Sequence, residues 1–209
     1  KYLLTFERIS YSYNNNLERV FHVICKLNLD FKYLELLKNL NLNYNLLDKN
    51  KNTALNYALQ NNNIKNVRYF FSFNTIDLNT INNIGLNTLD YLLNSNIFNF
   101  KLLQKFKIVT LKNIENYINN KKFNIKVFAY LISKLKNKFK SNKNGDNILL
   151  LVCKTYFNNT KIKLKLFDIL KNFNYNFNKL NHKNENPLIL TMKYDQNYYL
   201  IKYLLKIKV

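Results

Sequence analysis

Four segments of this 209-residue chain, at 48–55, 82–89, 142–149 and 181–188, share one eight-residue plan. Each opens with Asp or Asn, has Gly, Asn or Lys at the fourth place and Thr or Asn at the sixth, and closes on Leu. The only two glycines, Gly85 and Gly145, and the only proline, Pro187, all fall inside these phrases. A residue able to turn the backbone, then a polar cap, then an apolar run is a turn feeding a helix. The phrase recurs after 34 residues and then after 60 and 39, the mark of a stacked array. One period upstream of Asp48, Asn14 opens a further copy.

The phrase resembles the ankyrin repeat, whose first helix opens T-P-L-H-x-A after a turn. Residues 53–58 keep the Thr, Leu and final Ala of that signature, 186–191 keep its Pro and Leu, and His22 holds its His place. Asn45, Asn79 and Asn178 stand three residues before an opening, as is usual in the family. An apolar residue followed by a Leu-like pair marks each second helix: Tyr33 with Leu36 and Leu37, Val67 with Phe70 and Phe71, Leu166 with Ile169 and Leu170, Ile201 with Leu204 and Leu205. Alanine is scarce (Ala54, Ala58, Ala129), and Asn28, Asn62, Asn96 and Asp195 replace the family's loop glycine. Asn and Asp are the side chains that best tolerate a left-handed backbone, so the turn survives the exchange.

The resemblance implies an all-α, ankyrin-like repeat solenoid of stacked helix-turn-helix units, joined by turns that form short hairpins. The units are expected at 14–47, 48–81, 82–108, 142–180 and 181–209, with a partial one at 1–13 and a degenerate one at 109–141 that lacks the turn phrase. Lys1 to Leu4 repeats Lys202 to Leu205, so the chain is expected to be one array over 1–209 and a piece of a longer one, with Leu3, Leu4, Leu204 and Leu205 exposed. First helices are predicted at 17–27, 53–60, 88–95, 147–155 and 187–193, with Leu55, Leu89, Leu149 and Leu188 in equivalent buried places.

The chain carries 33 basic and 12 acidic residues, a net +21. Over half of that excess lies in 91–145, where twelve Lys face only Glu115; its centre is Lys121, Lys122, Lys126, Lys134, Lys136, Lys138 and Lys140. Asparagine numbers 42, and Lys, Ile, Tyr and Phe are also abundant, as under an AT-biased genome in which Lys is the default surface residue. Arginine, the residue of bidentate phosphate and base recognition, is confined to Arg8, Arg19 and Arg68, which disfavours sequence-specific nucleic acid binding. Salt-sensitive adsorption of nucleic acid or an anionic membrane by the Lys-rich 101–140 segment remains a second reading, and a structural spacer in a larger protein a third. The longest apolar run, 148–153, falls far short of the roughly 20 residues of a membrane span. Residues 1–15 do not read as a signal peptide, and an intracellular, cytoplasmic setting is expected. Cys25 and Cys153 are expected to be packed free thiols.

The residues offer little chemistry. Two His and two Cys without local spacing make no zinc site. Asp48 and Asp146 belong to turns, Glu18 and Glu35 are assigned to helix surfaces, and both glycines are isolated, so neither an acid–base pair nor a phosphate loop is present. No catalytic residue, cofactor or metal is expected. The resemblance implies a non-catalytic scaffold that binds an unidentified protein partner through turn tips and the concave face of the first helices. The residues at those places are Lys49, Asn50 and Asn52; Asn83, Ile84 and Leu86; Lys143, Asn144 and Asp146; His182, Lys183 and Glu185; with Gln60 and Tyr194 on helices. Ile84 and Leu86, apolar and flanking Gly85, stand out.

Overall fold

The computed structural model describes residues 12–135, 137 and 139–207. Leu3, Leu4, Lys136, Lys138 and Val209 lie outside the described residues. The chain divides into two compact units, Lys1–Phe106 and Lys107–Val209. Among the described residues there are twelve helices and no strand, with one isolated bridge between Val109 and Leu135.

The first unit holds α1 (Val20–Lys26), α2 (Lys32–Leu36), α3 (Ala54–Gln60), α4 (Ile64–Phe71), α5 (Thr88–Asn94) and α6 (Phe100–Leu103). Helices α1, α3 and α5 pack in a row, while α2 and α4 lie against α1 and α3. The second unit holds α7 (Leu111–Ile118), α8 (Ile125–Lys134), α9 (Ile148–Lys154), α10 (Thr160–Asn172), α11 (Pro187–Tyr194) and α12 (Tyr198–Lys206). Here α7, α9 and α11 form one row and α8, α10 and α12 the other.

All five phrases fold into the same turn. The side-chain oxygen of Asn14, Asp48, Asn82, Asn142 or Asn181 accepts from the backbone N–H two and four residues on. The fourth residue donates back to the first carbonyl and takes a left-handed backbone: Leu17 at φ 58°, Lys51 at 60°, Gly85 at 81°, Gly145 at 79° and Asn184 at 57°. The sixth residue then caps the helix: the oxygens of Thr53, Asn87, Asn147 and Asn186 accept from Asn56, Asp90, Leu150 and Ile189 N–H. Each such bond satisfies a helix donor and contributes about 1 kcal/mol.

Successive turns are also joined. Lys49 N–H donates to Asn16 O at 2.8 Å, Asn83 N–H to Asn50 O at 3.0 Å, and His182 N–H to Asn144 O at 3.0 Å. The α7 unit has no such turn. Counted back from its cap, Thr110, the first place falls on Lys105 and the fourth on Ile108. Lysine has no side-chain acceptor, and a β-branched residue resists a left-handed backbone.

Leu55, Leu89 and Leu149 occupy one register, two residues after the cap, and are buried, as expected. Leu188 holds the same register but is only half-buried, because no further helix row among the described residues covers α11. Aromatic rings supply much of the first unit's interior: Phe21, Tyr44, Tyr69, Phe70 and Phe73 form one ring cluster, with the Tyr44 and Tyr69 hydroxyls 2.7 Å apart.

Several expectations are corrected. Helix α1 begins at Val20 rather than residue 17, because Leu17 holds the left-handed place. Asn28 and Asn62 are left-handed, but Asn96 is not, and in the last loop Gln196 rather than Asp195 takes that conformation. The inward pair of α2 and its end is Leu34 with Leu37; Tyr33 and Leu36 are exposed. On α12 it is Leu200 with Leu204, so Leu204 is buried and Leu205 exposed. Cys25 and Cys153 are buried free thiols, and burial raises both above the usual thiol range, Cys153 to about 12.

Candidate binding surface

The frame that holds the turns is polar and buried. In three units the fifth turn residue is an acid paired with a Lys eight residues on: Glu18 with Lys26, Asp146 with Lys154 at 2.6 Å, Glu185 with Lys193 at 2.9 Å. Lys26 and Asn14 hold the Glu18 carboxyl below its usual range, and Asn181 and Lys193 do the same for Glu185. The other two units tie the first turn residue to a Tyr nine residues on. Tyr57 donates its hydroxyl to Asp48, and Asn82 Nδ2 donates to the Tyr91 hydroxyl at 2.9 Å. Both devices brace the turn against its own first helix.

Braces also run between units. Asn82 Nδ2 donates to Asn52 Oδ1 at 2.8 Å, and Asn181 Nδ2 to Asp146 Oδ1 at 3.1 Å. Two of the expected contact residues are therefore interior. Asn52 and Asp146 are 9% and 1% exposed, and their side chains are spent on linking turns. Glu185 is partly buried and engaged with Asn181 and Lys193, and Glu18 is buried in its turn rather than lying on a helix surface.

The remaining residues form two clusters, one in each compact unit. In the first, Lys49, Asn50, Asn83 and Ile84 stand exposed on adjoining turns, with Leu86 half-buried and Gln60 exposed at the end of α3. Ile84 is the most exposed large apolar residue described, at 74%. In the second, Lys143, Asn144, His182 and Lys183 are exposed on joined turns, and Tyr194 is exposed at the end of α11.

His22 is fully buried. Its Nδ1 accepts from Arg19 N–H at 3.1 Å, which stands in for a cap, and Nε2–H donates to Leu46 O at 2.9 Å. Burial holds its pKa below the ordinary imidazole value. Among the described residues no group of three or more His, Cys, Asp or Glu is placed to hold a metal, and no helix is long and apolar enough to cross a membrane. The ten described lysines of 91–145 are all exposed.

Sequence reasoning missed the braces. The acid-to-Lys spacing of eight in three copies, and the first-place-to-Tyr spacing of nine in the other two, was a readable signal. It also missed Lys163, which is 1% exposed. Its Nζ donates to Cys153 O at 2.9 Å, Thr155 O at 3.0 Å and Asp195 Oδ2 at 2.7 Å.

No protein-family model and no curated protein matches the sequence. Solved structures match in fold. The ankyrin repeat domain of Bcl-3, a member of the IkappaB protein family, superposes with a TM-score of 0.72 over 98% of this chain and 91% of that one, at 18% identity. A chain from the complex of the Bd0816 predatory endopeptidase of Bdellovibrio bacteriovorus with immunity protein Bd3460 superposes with a TM-score of 0.67, at 17% identity. It is matched over 93% of this chain and 99% of that one. Identity this low carries the fold alone, and together with the recurrent capped turns and paired helix rows it gives this chain an ankyrin-like repeat fold.

Proposed function

We propose that the chain is a non-catalytic scaffold that binds a partner protein through its turn tips. One observation carries the reading: the frame of every turn is saturated, while the tips vary. First-place side chains and fourth-place backbones are consumed within the fold in the same way each time, and so are the caps in four of the five turns, with His22 standing in at the other. The second and third places carry Lys49 and Asn50, Asn83 and Ile84, Lys143 and Asn144, His182 and Lys183, all exposed. A braced backbone has little loop entropy left to lose when the varied side chains it carries dock, which favours protein recognition. An exposed apolar residue such as Ile84 on a rigid tip suits the centre of such a contact.

The test uses a partner recovered by affinity capture and then purified. Ile84→Asp is expected to weaken its binding by about 100-fold, as loss of an anchor worth roughly 2–3 kcal/mol. Neutralising Lys121 and Lys122 should mainly slow association, since long-range charge acts on encounter. If the captured material is chiefly nucleic acid, if its binding collapses between about 50 and 200 mM salt, and if Ile84→Asp binds as wild type, the Lys-rich segment is the function and the turn-tip reading fails.

A further inference from the structure

The missing turn of the α7 unit leaves its neighbour's linking groups without their usual partners. In the three linked pairs of turns, the second residue of the later turn donates its N–H to the third carbonyl of the earlier one. Lys143 holds that second place in its turn, and among the described residues its N–H has no backbone acceptor. Asn142, whose counterparts Asn82 and Asn181 reach the fifth residue of the preceding turn, reaches Glu115 Oε1 at 3.2 Å instead. Glu115 thus stands in for one linking residue of the absent turn, and among the described residues no carbonyl stands in for the backbone acceptor.

Beside this place lies a cavity of about 650 Å³, lined by residues 108–112 and Glu115 on one side and by Leu135, Asn137 and residues 140–142 on the other. Its apolar lining includes Ile108, Val109, Leu111 and Leu135. Lys112 and Lys140 line it too, and Lys107 and Lys143 are exposed close by in sequence. The single acid, Glu115, is engaged with Lys112 at 3.3 Å and with Asn142. The site therefore offers a free backbone donor, an apolar recess and an excess of positive charge.

Resting on the scaffold reading, we propose that an extended acidic segment of a partner protein occupies the place of the missing turn. A carbonyl of that segment accepts from Lys143 N–H, as Asn16, Asn50 and Asn144 carbonyls accept elsewhere. An apolar side chain of the segment enters the recess beside Ile108 and Leu135, and its carboxylates meet Lys112 and Lys140. Backbone pairing supplies affinity and the recess supplies register, as when a peptide joins an open edge.

The probe is a fluorescein-labelled octapeptide with a central leucine–valine pair flanked by glutamates, titrated into the chain by fluorescence anisotropy. Lys143→Pro removes the donor at a turn place that suits proline, and Ile108→Asp alters a residue that is 46% exposed. Each is expected to weaken binding by about ten-fold or more, as is Lys140→Glu, while Lys122→Glu changes it by less than about two-fold. Melting temperatures within about 3 °C of wild type establish that the variants fold, and Ile108→Asp decides the matter if Lys143→Pro does not fold. The proposal is overturned if the peptide does not bind at about 1 mM, or if Lys122→Glu weakens it as much as Lys140→Glu. Retained affinity in folded Lys143→Pro or in Ile108→Asp overturns it too, as does tighter binding of single-stranded oligothymidylate with the same variant profile. A purified partner that is lost with Ile84→Asp but bound as wild type by Ile108→Asp removes the groove and leaves the turn-tip scaffold standing.

Discussion

At the scale of the residue, the fourth turn place shows how one backbone demand is met by different side chains. Lys51, Asn184 and Leu17 accept the left-handed conformation that Gly85 and Gly145 adopt freely. The two glycines are not equivalent. A Cβ on Gly85 meets nothing within 4 Å, whereas one on Gly145 lies 2.7 Å from His182 N, the atom that donates to Asn144 O. Gly85→Ala is therefore expected to cost about 1 kcal/mol, the left-handed penalty alone, and Gly145→Ala clearly more. Urea midpoints measure both, and equal shifts would contradict the contact. His22 sets a pH dependence. Burial lowers its folded-state pKa, so the unfolded chain takes up the proton first, and stability falls as pH drops below about 6.5. The other histidine, His182, is exposed. His22→Gln should flatten the stability profile between about pH 7 and 5.5, above the range in which carboxylates titrate.

At the scale of the element, the Lys163–Asp195 pair ties α10 to the loop between α11 and α12. Removing Asp195 leaves an ammonium that is 1% exposed with only two carbonyls for company. Asp195→Ala is expected to destabilise by about 3–5 kcal/mol. Lys163→Met is milder, at about 1–2 kcal/mol, because the Asp195 side chain is 11% exposed and recovers water. Chemical denaturation of both variants tests the order, and the reverse order would mean the pair is not buried as described.

At the scale of the molecule, the last described helix pair shows what stacking does. Leu150 and Cys153 on α9 are fully buried, while Ile189 and Met192, at the corresponding places on α11, are 45% and 53% exposed. The sequence register is the same; a covering row is what differs. This open face is expected to drive self-association at about tens of micromolar. Ile189→Lys with Met192→Lys should return the chain to monomer in sedimentation velocity without lowering its melting temperature. A wild-type monomer throughout that range would show the face to be inert.

By itself, the sequence determined whatever a few neighbouring residues decide among themselves. A turn closed by its own Asn or Asp, a left-handed fourth place and a cap two residues before an inward Leu are contacts within about eight positions, so their spacing is written in the chain. The absence of a turn before Thr110 is legible for the same reason. Only the tertiary structure decided the rest. Lys161, Lys163 and Lys165 alternate along α10 as one pattern, yet Lys163 alone is buried, because Asp195, 32 residues away, comes within 2.7 Å of it. Asn52 and Asp146 read as tip residues until the following turn claimed their side chains. The α2 and α12 registers shifted by one because the buried face of a short helix is chosen by the row it lies against. Burial is a property of what stands opposite, and no local spacing encodes it.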